Sequence, residues 1–396
     1  MDKNIFNEKV SLFSLAKWSN GLAYKDIHFS NNGLPIIKIA ELKNGITPQT
    51  NYTEQSFSAT VKLHYDDLLF AWSGNPDTSI DIFRYRLENG WLNQHIFKVE
   101  PFINKDYFYY LMKSLKPTFV HIASNKQTTG LGHVTISDLK RLEVCLHNEA
   151  EQQHIVDILG SIDDKIENNT KIIDSLIENL RLEFAIRFSN RHDLERVPLA
   201  YFVEETIGGD WGKERPEKAY TERVVCIRGA DIPEISMGKN GKPPIRYILP
   251  KNLHAKRLID YEIIVEISGG SPTQSTGRCA LITSDLIEQY DSPLICTNFC
   301  RAIHCKNKTF GAYFYSAFSK MYEDDLFFNY ENGTTGIKNL DLQAILDKEY
   351  VSLPTVTELE DFYSFTNNIY SHITRLKKEN NKLEELKQLY LKKFFG

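Results

Sequence analysis

This sequence is written twice. Gln127-Thr128-Thr129-Gly130-Leu131 returns as Gly333-Thr334-Thr335-Gly336-Ile337, an offset of 206. Upstream, Leu68-Leu69-Phe70-Ala71-Trp72-Ser73-Gly74 matches Ile263-Ile264-Val265-Glu266-Ile267-Ser268-Gly269 at an offset of 195. Earlier still, Ile37-Lys38-Ile39-Ala40-Glu41-Leu42 matches Ile227-Arg228-Gly229-Ala230-Asp231-Ile232 at 190. The drift is what loop insertions in the second copy produce. Each Thr-Thr-Gly element is followed by a short amphipathic stretch, Ile136–Leu139 or Leu340–Leu342. A strand-like segment comes next (Leu142–Val144; Tyr350–Pro354), then a long helix. Single matches of this kind are weak, but their common order marks an internal repeat.

The helices give the clearest periodic signal. From Glu149 onward, Ile155, Leu159, Ile162, Ile166, Asn169, Ile173, Leu176 and Leu180 recur at alternating steps of four and three. That is a heptad seam interrupted once by a polar residue. No proline occurs between residues 149 and 197, and a helix of roughly 38 residues would be some 57 Å long. In the second copy Ile369, Ile373, Leu376, Asn380 and Leu383 repeat the pattern, with Leu386 and Tyr390 expected to continue it after a slip. One asparagine at a seam position is a device that fixes register at a cost in stability; tolerance at a hydrated helix end is the other reading.

The remainder reads as mixed structure. Strands are expected at Pro35–Ile39, Leu68–Trp72, Ile96–Val99, Arg223–Ile227, Tyr261–Ile267 and Leu294–Ile303, separated by turn clusters such as Gly74-Asn75-Pro76-Asp77. An aromatic run marks one short helix per copy, Tyr107–Leu115 and Tyr313–Lys320. The fold class is therefore α+β, in the order globule, helix, globule, helix. Cys296, Cys300, His304 and Cys305 raise a metal question, but they lie on an expected buried strand with no second ligand pair of CxxC type. Together with Cys145, Cys226 and Cys279 these cysteines read as small buried side chains, and no metal is expected.

Net charge is −5, which excludes a strongly basic, self-sufficient nucleic-acid binder. The charge is uneven: residues 1–147 carry 16 basic and 14 acidic groups, and residues 148–196 carry 6 and 11. A reader this weakly charged must borrow phosphate contacts from a partner. The N-terminal residues lack an apolar signal core and no apolar run reaches the length of a membrane span, so the cytoplasm is the expected compartment.

Catalytic motifs are missing. There is no glycine-rich loop for a methyl donor, and Asn75-Pro76-Asp77 lacks the second proline and the aromatic ring that would stack a flipped base. Gly238–Pro243 has neither the spacing nor the ending of a phosphate loop. Asp66-Asp67 and Asp324-Asp325 are adjacent acids, which point to opposite faces of a strand. His95 and His133 have no nucleophile at a recognisable spacing. The chain is expected not to be an enzyme.

Two globules, each closed by a Thr-Gly element and a heptad helix, resemble the specificity subunit of Type I restriction-modification systems over essentially the whole chain. Asp67–Gly74 looks like the family's GDLLxxxxG strand and turn, Glu151-Gln152-Gln153-His154-Ile155 like its EQxxI helix start, and Leu386–Phe395 like its LKQxLLxxMF ending. Departures exist: Leu146-His147-Asn148 stands where a proline is usual, Glu360-Asp361 replaces Glu-Gln, and Asp66 replaces a glycine. The resemblance implies target recognition domains at 1–147 and 191–355 and long spacer helices at 148–190 and 356–396. It implies helices packed as an antiparallel coiled coil with a pseudo-two-fold repeat. The implied partners are double-stranded DNA, two methyltransferase subunits and motor-nuclease subunits. No cofactor is expected on this chain, S-adenosylmethionine being held by the methyltransferase. The competing readings are the DNA-reading subunit of a related Type II assembly with a fused methyltransferase-nuclease, a coiled-coil scaffold that never touches DNA, and an independent nuclease.

Base readout uses Arg, Lys, Asn and Gln in exposed loops. The candidates are Asn20, Lys25, Trp72, Asn75, Gln94, Lys126 and Gln127 in the first copy, and Trp211, Lys213, Arg228, Gln274, Arg278, Asn298 and Lys338 in the second.

Overall fold

The structure is a computed structural model that describes residues 6–24, 27–126, 130–189, 191, 193–269, 274–333 and 337–396. It divides into two compact units, 1–165 with 382–396, and 166–381. Each unit therefore contains one globule and a portion of each long helix.

The first unit is organised by a four-stranded antiparallel sheet in the order Ala16–Asn20, Ile96–Pro101, Leu68–Ala71, Asp81–Arg84. Leu68–Ala71 is buried throughout, which is why its sequence is apolar without alternation. The two-residue period survives in where the side chains go. Leu68 and Phe70 join the core with Tyr107, Phe108, Phe119, Ile155 and Leu159, whereas Leu69 and Ala71 face a second cluster with Ile36, Ile37, Trp91 and Leu92. That second cluster is floored by a smaller sheet in which Leu34–Ile37 runs parallel to Gly90–Leu92.

The second unit repeats this plan. Val203–Gly208, Cys300–Cys305, Ile263–Glu266 and Cys279–Leu281 form an antiparallel sheet with the same strand order. Ile263 and Val265 face one core and Ile264 the other. A parallel pair, Glu222–Ile227 with Leu294–Cys296, again floors the smaller cluster. The correspondence extends to single residues. Asp66 and Tyr261 both adopt positive φ, 72° and 68°, at the turn that starts the central strand. The next residue is in each case an acid paired to the neighbouring strand: Asp67 with Lys98 at 2.7 Å, Glu262 with His304 at 3.2 Å.

The expected strand Leu294–Ile303 is broken. It divides at Thr297–Phe299 into two strands that serve different sheets, and Phe299 is half exposed at the turn. Cys226, Cys279, Cys296, Cys300 and Cys305 are buried and Cys145 is half-buried.

Both long helices begin with reciprocal caps. Asn148 Oδ1 accepts from Glu151 N at 3.0 Å while Glu151 Oε2 accepts from Asn148 N; Thr355 and Glu358 make the same pair of bonds. The first helix spans Glu149–Phe184 and ends in a π turn, Ala185–Ser189; the second spans Val356–Phe395. No helix among the described residues is long and apolar enough to cross a membrane.

Within each unit the helix portions run antiparallel. In the first unit Asp163 meets Lys387 and His154 lies 6.4 Å from Phe394. In the second, Asn169 meets Asn380 and Phe184 lies 5.9 Å from Phe362. Along the seam Ile155, Leu159, Ile162, Asn169, Ile173, Leu180, Ile369, Ile373 and Leu376 are buried, and Ile166, Leu176, Asn380 and Leu383 are half-buried. Ile177 and Phe184 are also buried, because the first helix packs on its globule as well as on the other helix. Leu386 departs from expectation: it is 40% exposed, and the stem of Lys387 and the side chain of Leu391 occupy the inner face instead.

Candidate nucleic-acid interface

In the first unit the candidate residues gather where the central sheet runs out. Asn20 ends its strand opposite Phe97. Trp72 follows the adjacent strand, its Nε1–H donating to Asn20 Oδ1 at 3.1 Å and its ring stacked on Phe97 at 5.6 Å. Gln94 and His95 form the turn that enters the middle strand; their side-chain nitrogens are 3.2 Å apart, and the His95 ring is 5.9 Å from Trp72. Asn20, Trp72, Gln94 and His95 thus make one polar-aromatic rim.

Beyond it Gly74, at φ 143°, lets the chain turn over Ser79, where a Cβ would sit 2.6 Å from that residue's Cβ. Asn75 is exposed, but its Oδ1 accepts from Thr78 N and Oγ1 and caps the short helix Pro76–Ser79. Lys126 donates to both oxygens of Asp138. Burial alone would push the Asp138 carboxyl up, but bonds from Lys126 and Thr135 outweigh it and hold the group below its ordinary value. Lys25 and Gln127 lie outside the described residues.

In the second unit the candidates fall into two groups. Trp211 is 40% exposed with the Arg246 guanidinium 4.1 Å above its ring, and Arg246 Nε donates to Trp211 O. Lys213 is exposed two residues on, its backbone bridged to Tyr247. Asn298 is exposed at the turn that breaks the Leu294–Ile303 run. The other group is bound to acids. Arg278 makes two bonds to Glu266 (2.8 and 2.6 Å), Arg228 two to Asp231 (both 2.9 Å), and Lys338 one to Glu331 (2.6 Å). Glu266 and Asp231 are almost fully buried. For Asp231 and Glu331 burial acts upward, and the bonds from Arg228 and Lys338 more than reverse it, so both stay ionised. Gln274 hydrogen-bonds Tyr322.

The structure therefore separates two kinds of candidate. Lys126, Arg228, Arg278 and Lys338 direct their charge at buried or half-buried carboxylates. Asn20, Trp72, Gln94, Trp211, Lys213 and Asn298 line rims or turns. His95 was not among the candidates; its place in the turn beside Gln94 was visible, but its spacing was weighed only for a nucleophile.

Comparison with known proteins bears on this arrangement. Residues 7–178 match the model of the Type I restriction modification DNA specificity domain. No curated protein matches the chain. Among solved structures, the Type I restriction-modification S subunit from M. genitalium is similar with a TM-score of 0.51 and 17% identity, covering 100% of this chain and 98% of that one. A structure concerned with complex assembly and conformational transition of the type I R-M system gives 0.43 and 12% over 98% and 96% of the two chains. The HsdS subunit from Thermoanaerobacter tengcongensis gives 0.32 and 12% over 98% and 96%. The matched residues take in the first globule and most of the first long helix, and the second unit repeats their strand order. Residues 7–178 thus match the Type I restriction modification DNA specificity domain, and over its full length the chain has the fold of the M. genitalium S subunit.

Proposed function

We propose that each unit reads one half of a bipartite, asymmetric DNA target, and that the chain performs no chemistry itself but directs adenine methylation or cleavage by partner subunits. One observation carries this reading: the same sheet order, left-handed turn and helix attachment occur twice, while the residues at the two sets of exposed loops differ. A repeated frame with unlike reading edges suits two unlike half-sites, and an antiparallel helix pair suits a ruler between them. In this scheme Asn20, Trp72, Gln94 and His95 read the first half-site. Trp211, Lys213 and Asn298 read the second, using amides, an amine and flat rings that bases can meet. Lys126, Arg228, Arg278 and Lys338 hold those loops in shape.

The partners are two methyltransferase subunits, which carry S-adenosylmethionine, and motor-nuclease subunits. They also supply the phosphate-neutralising charge that a chain of net charge −5 lacks. The test is a single-molecule map of methylated adenines in the native genome with and without this gene. Loss of one bipartite motif on deletion is expected; a map that keeps every motif, with the gene expressed beside its methyltransferase, overturns the reading.

A further inference from the structure

The second unit holds a cavity of about 280 Å³ where the first long helix meets the globule. Ile177, Leu180 and Phe184 of the long helix line it together with Ile232, Tyr315 and Tyr370. We propose that this cavity is a binding site for a neutral small molecule with the dimensions of two fused aromatic rings.

Size comes first. An apolar cavity of about 150 Å³ stays dry and accepts benzene, so nearly twice that volume suits a bicyclic ring system. Charge comes next. Three cations border the cavity, and each already has an acid: Arg181 meets Glu323 at 3.0 Å, Arg278 meets Glu266 at 2.6 Å, and Lys320 meets Asp324. An anion would have to break one of these pairs, and a cation would lose its hydration for no partner. Beyond these pairs the polar lining is uncharged and includes the Ser319 hydroxyl, 3.2 Å from Cys279 Sγ, the Ser236 hydroxyl and the Gln274 amide, which also meets Tyr322. They suit one ring N–H or ring nitrogen. Burial pushes the Cys279 thiol up to about 12, so the wall is not a reactive one.

The matching helix of the first unit also borders a pocket, but with a different lining. Tyr107 and Tyr313 occupy matching places on the aromatic helices Lys105–Ser114 and Lys308–Glu323. Each ties its helix to the backbone or side chain just before a long helix, at His147 and Ser352. Six residues after Tyr107 stands Lys113, which lies over the Tyr109 ring and reaches Asp81. Six residues after Tyr313 stands Ser319, too short to cover Tyr315 in that way. In the first unit that space is therefore bordered by charge, from Lys113, Lys116 and Asp81, whereas Ser319 leaves the same helix position in the second unit uncharged.

Indole is the probe: neutral, bicyclic and carrying one N–H. Calorimetric titration of the full-length chain should give a Kd of about 100 µM, and indole-3-carboxylate should bind at least about tenfold more weakly. Ser319→Leu fills the space and should weaken indole at least about tenfold while leaving the thermal midpoint of the empty protein unchanged or higher. Ser319→Met offers the same volume on a more adaptable side chain and serves if the leucine variant misfolds. The proposal is overturned if indole does not bind the wild-type chain at millimolar concentration, if the carboxylate binds as well, or if a folded filled variant retains wild-type affinity. None of these readouts depends on whether Gln274 or Arg278 contacts DNA.

Discussion

Replacing Asn169 tests whether the helix pair is held by packing alone or by a specific polar contact. Asn169 has no exposed surface; its Nδ2 donates to Asn380 Oδ1 at 2.8 Å and to Glu379 Oε2 at 3.0 Å, while its own Oδ1 has no partner among the described residues. Asn169→Ile forfeits a neutral hydrogen bond of about 1 kcal/mol and a carboxylate-assisted one of about 2. It also removes an orphaned oxygen that costs about 2 and buries an aliphatic side chain that contributes about 2. The sum favours the isoleucine by about 1 kcal/mol. Asn169→Asp has nearly the same shape and the opposite outcome. Its carboxylate would replace the amide that donates to Glu379 Oε2 and set two acceptors against each other in the seam, at a cost of about 4 kcal/mol.

The pH dependence separates electrostatics from bad packing. Burial and the adjacent Glu379 raise the folded-state pKa of the new carboxyl above its unfolded value. The penalty is therefore full above the folded pKa, and it fades as pH falls toward the unfolded value near ~4. Denaturant unfolding followed by circular dichroism, at about pH 7.5 and about pH 5, should show the aspartate defect shrinking in acid. An aspartate variant that loses less than about 1 kcal/mol, or the same amount at both pH values, would refute this account. So would an isoleucine variant destabilised by more than about 2.

Arg278→Ala should cost about 3 kcal/mol in unfolding free energy, because it leaves the nearly buried Glu266 without its cation; a loss below about 1 would mean the pair is dispensable. Lys377 is half-buried, and burial pushes its amine down to about 8 from 10.5. Between those values only the unfolded chain binds the proton, so stability rises with pH, and below about 8 the penalty is complete. Lys377→Met should then be more stable than wild type by about 2 kcal/mol at neutral pH, with the gap closing toward pH ~10; a constant gap in paired denaturant titrations would contradict this. Inserting a matched heptad in each long helix, after Ile166 and after Asn381, adds about 10 Å to the helix pair, or roughly three base pairs. On the ruler reading the methylome motif gains that spacer and keeps both half-sites, whereas an unchanged spacer sinks the ruler.

The legible features were those written in local periodicity or in repetition. The heptad positions from Ile155 to Leu180 are buried or half-buried, and the first helix starts at Glu149, where the seam was expected to begin. Asn169 and Asn380 were marked by interrupting an apolar seam, and they meet. Leu386 was misjudged because the inner face of the second helix near its end follows its globule. There Lys387 turns inward to pair with Asp163, and Leu386 is left outside. The break at Thr297–Phe299 was invisible because Leu294–Cys296 is buried throughout and Cys300–Cys305 buries all but Arg301 and His304, so the two read as one inner strand; their sheet membership is decided by residues far away in sequence. For the same reason loop composition alone could not separate Arg228, Arg278, Lys126 and Lys338 from the exposed candidates. Whether a cation is available depends on a buried acid that tertiary structure brings beside it.

The two units agree on positions more than on residues. Asp67–Lys98 and Glu262–His304 occupy the same place with different chemistry, as do the positive-φ residues Asp66 and Tyr261 before them. A glycine would adopt that left-handed turn with less strain, yet neither copy has one. The turn must therefore be imposed by the central sheet and its helix. In the first unit Asp66 is anchored by Arg84, Arg86 and Lys105; in the second the Tyr261 ring is buried against Tyr363. Different side chains enforce one backbone path, which leaves the loops at the far end of the sheet free to differ. A frame held from inside by interchangeable contacts, with its outer edge unconstrained, is what a duplicated reader needs if its halves are to recognise different sequences. Converting Tyr261 and Asp66 to glycine should accordingly change stability without changing the motif that is methylated.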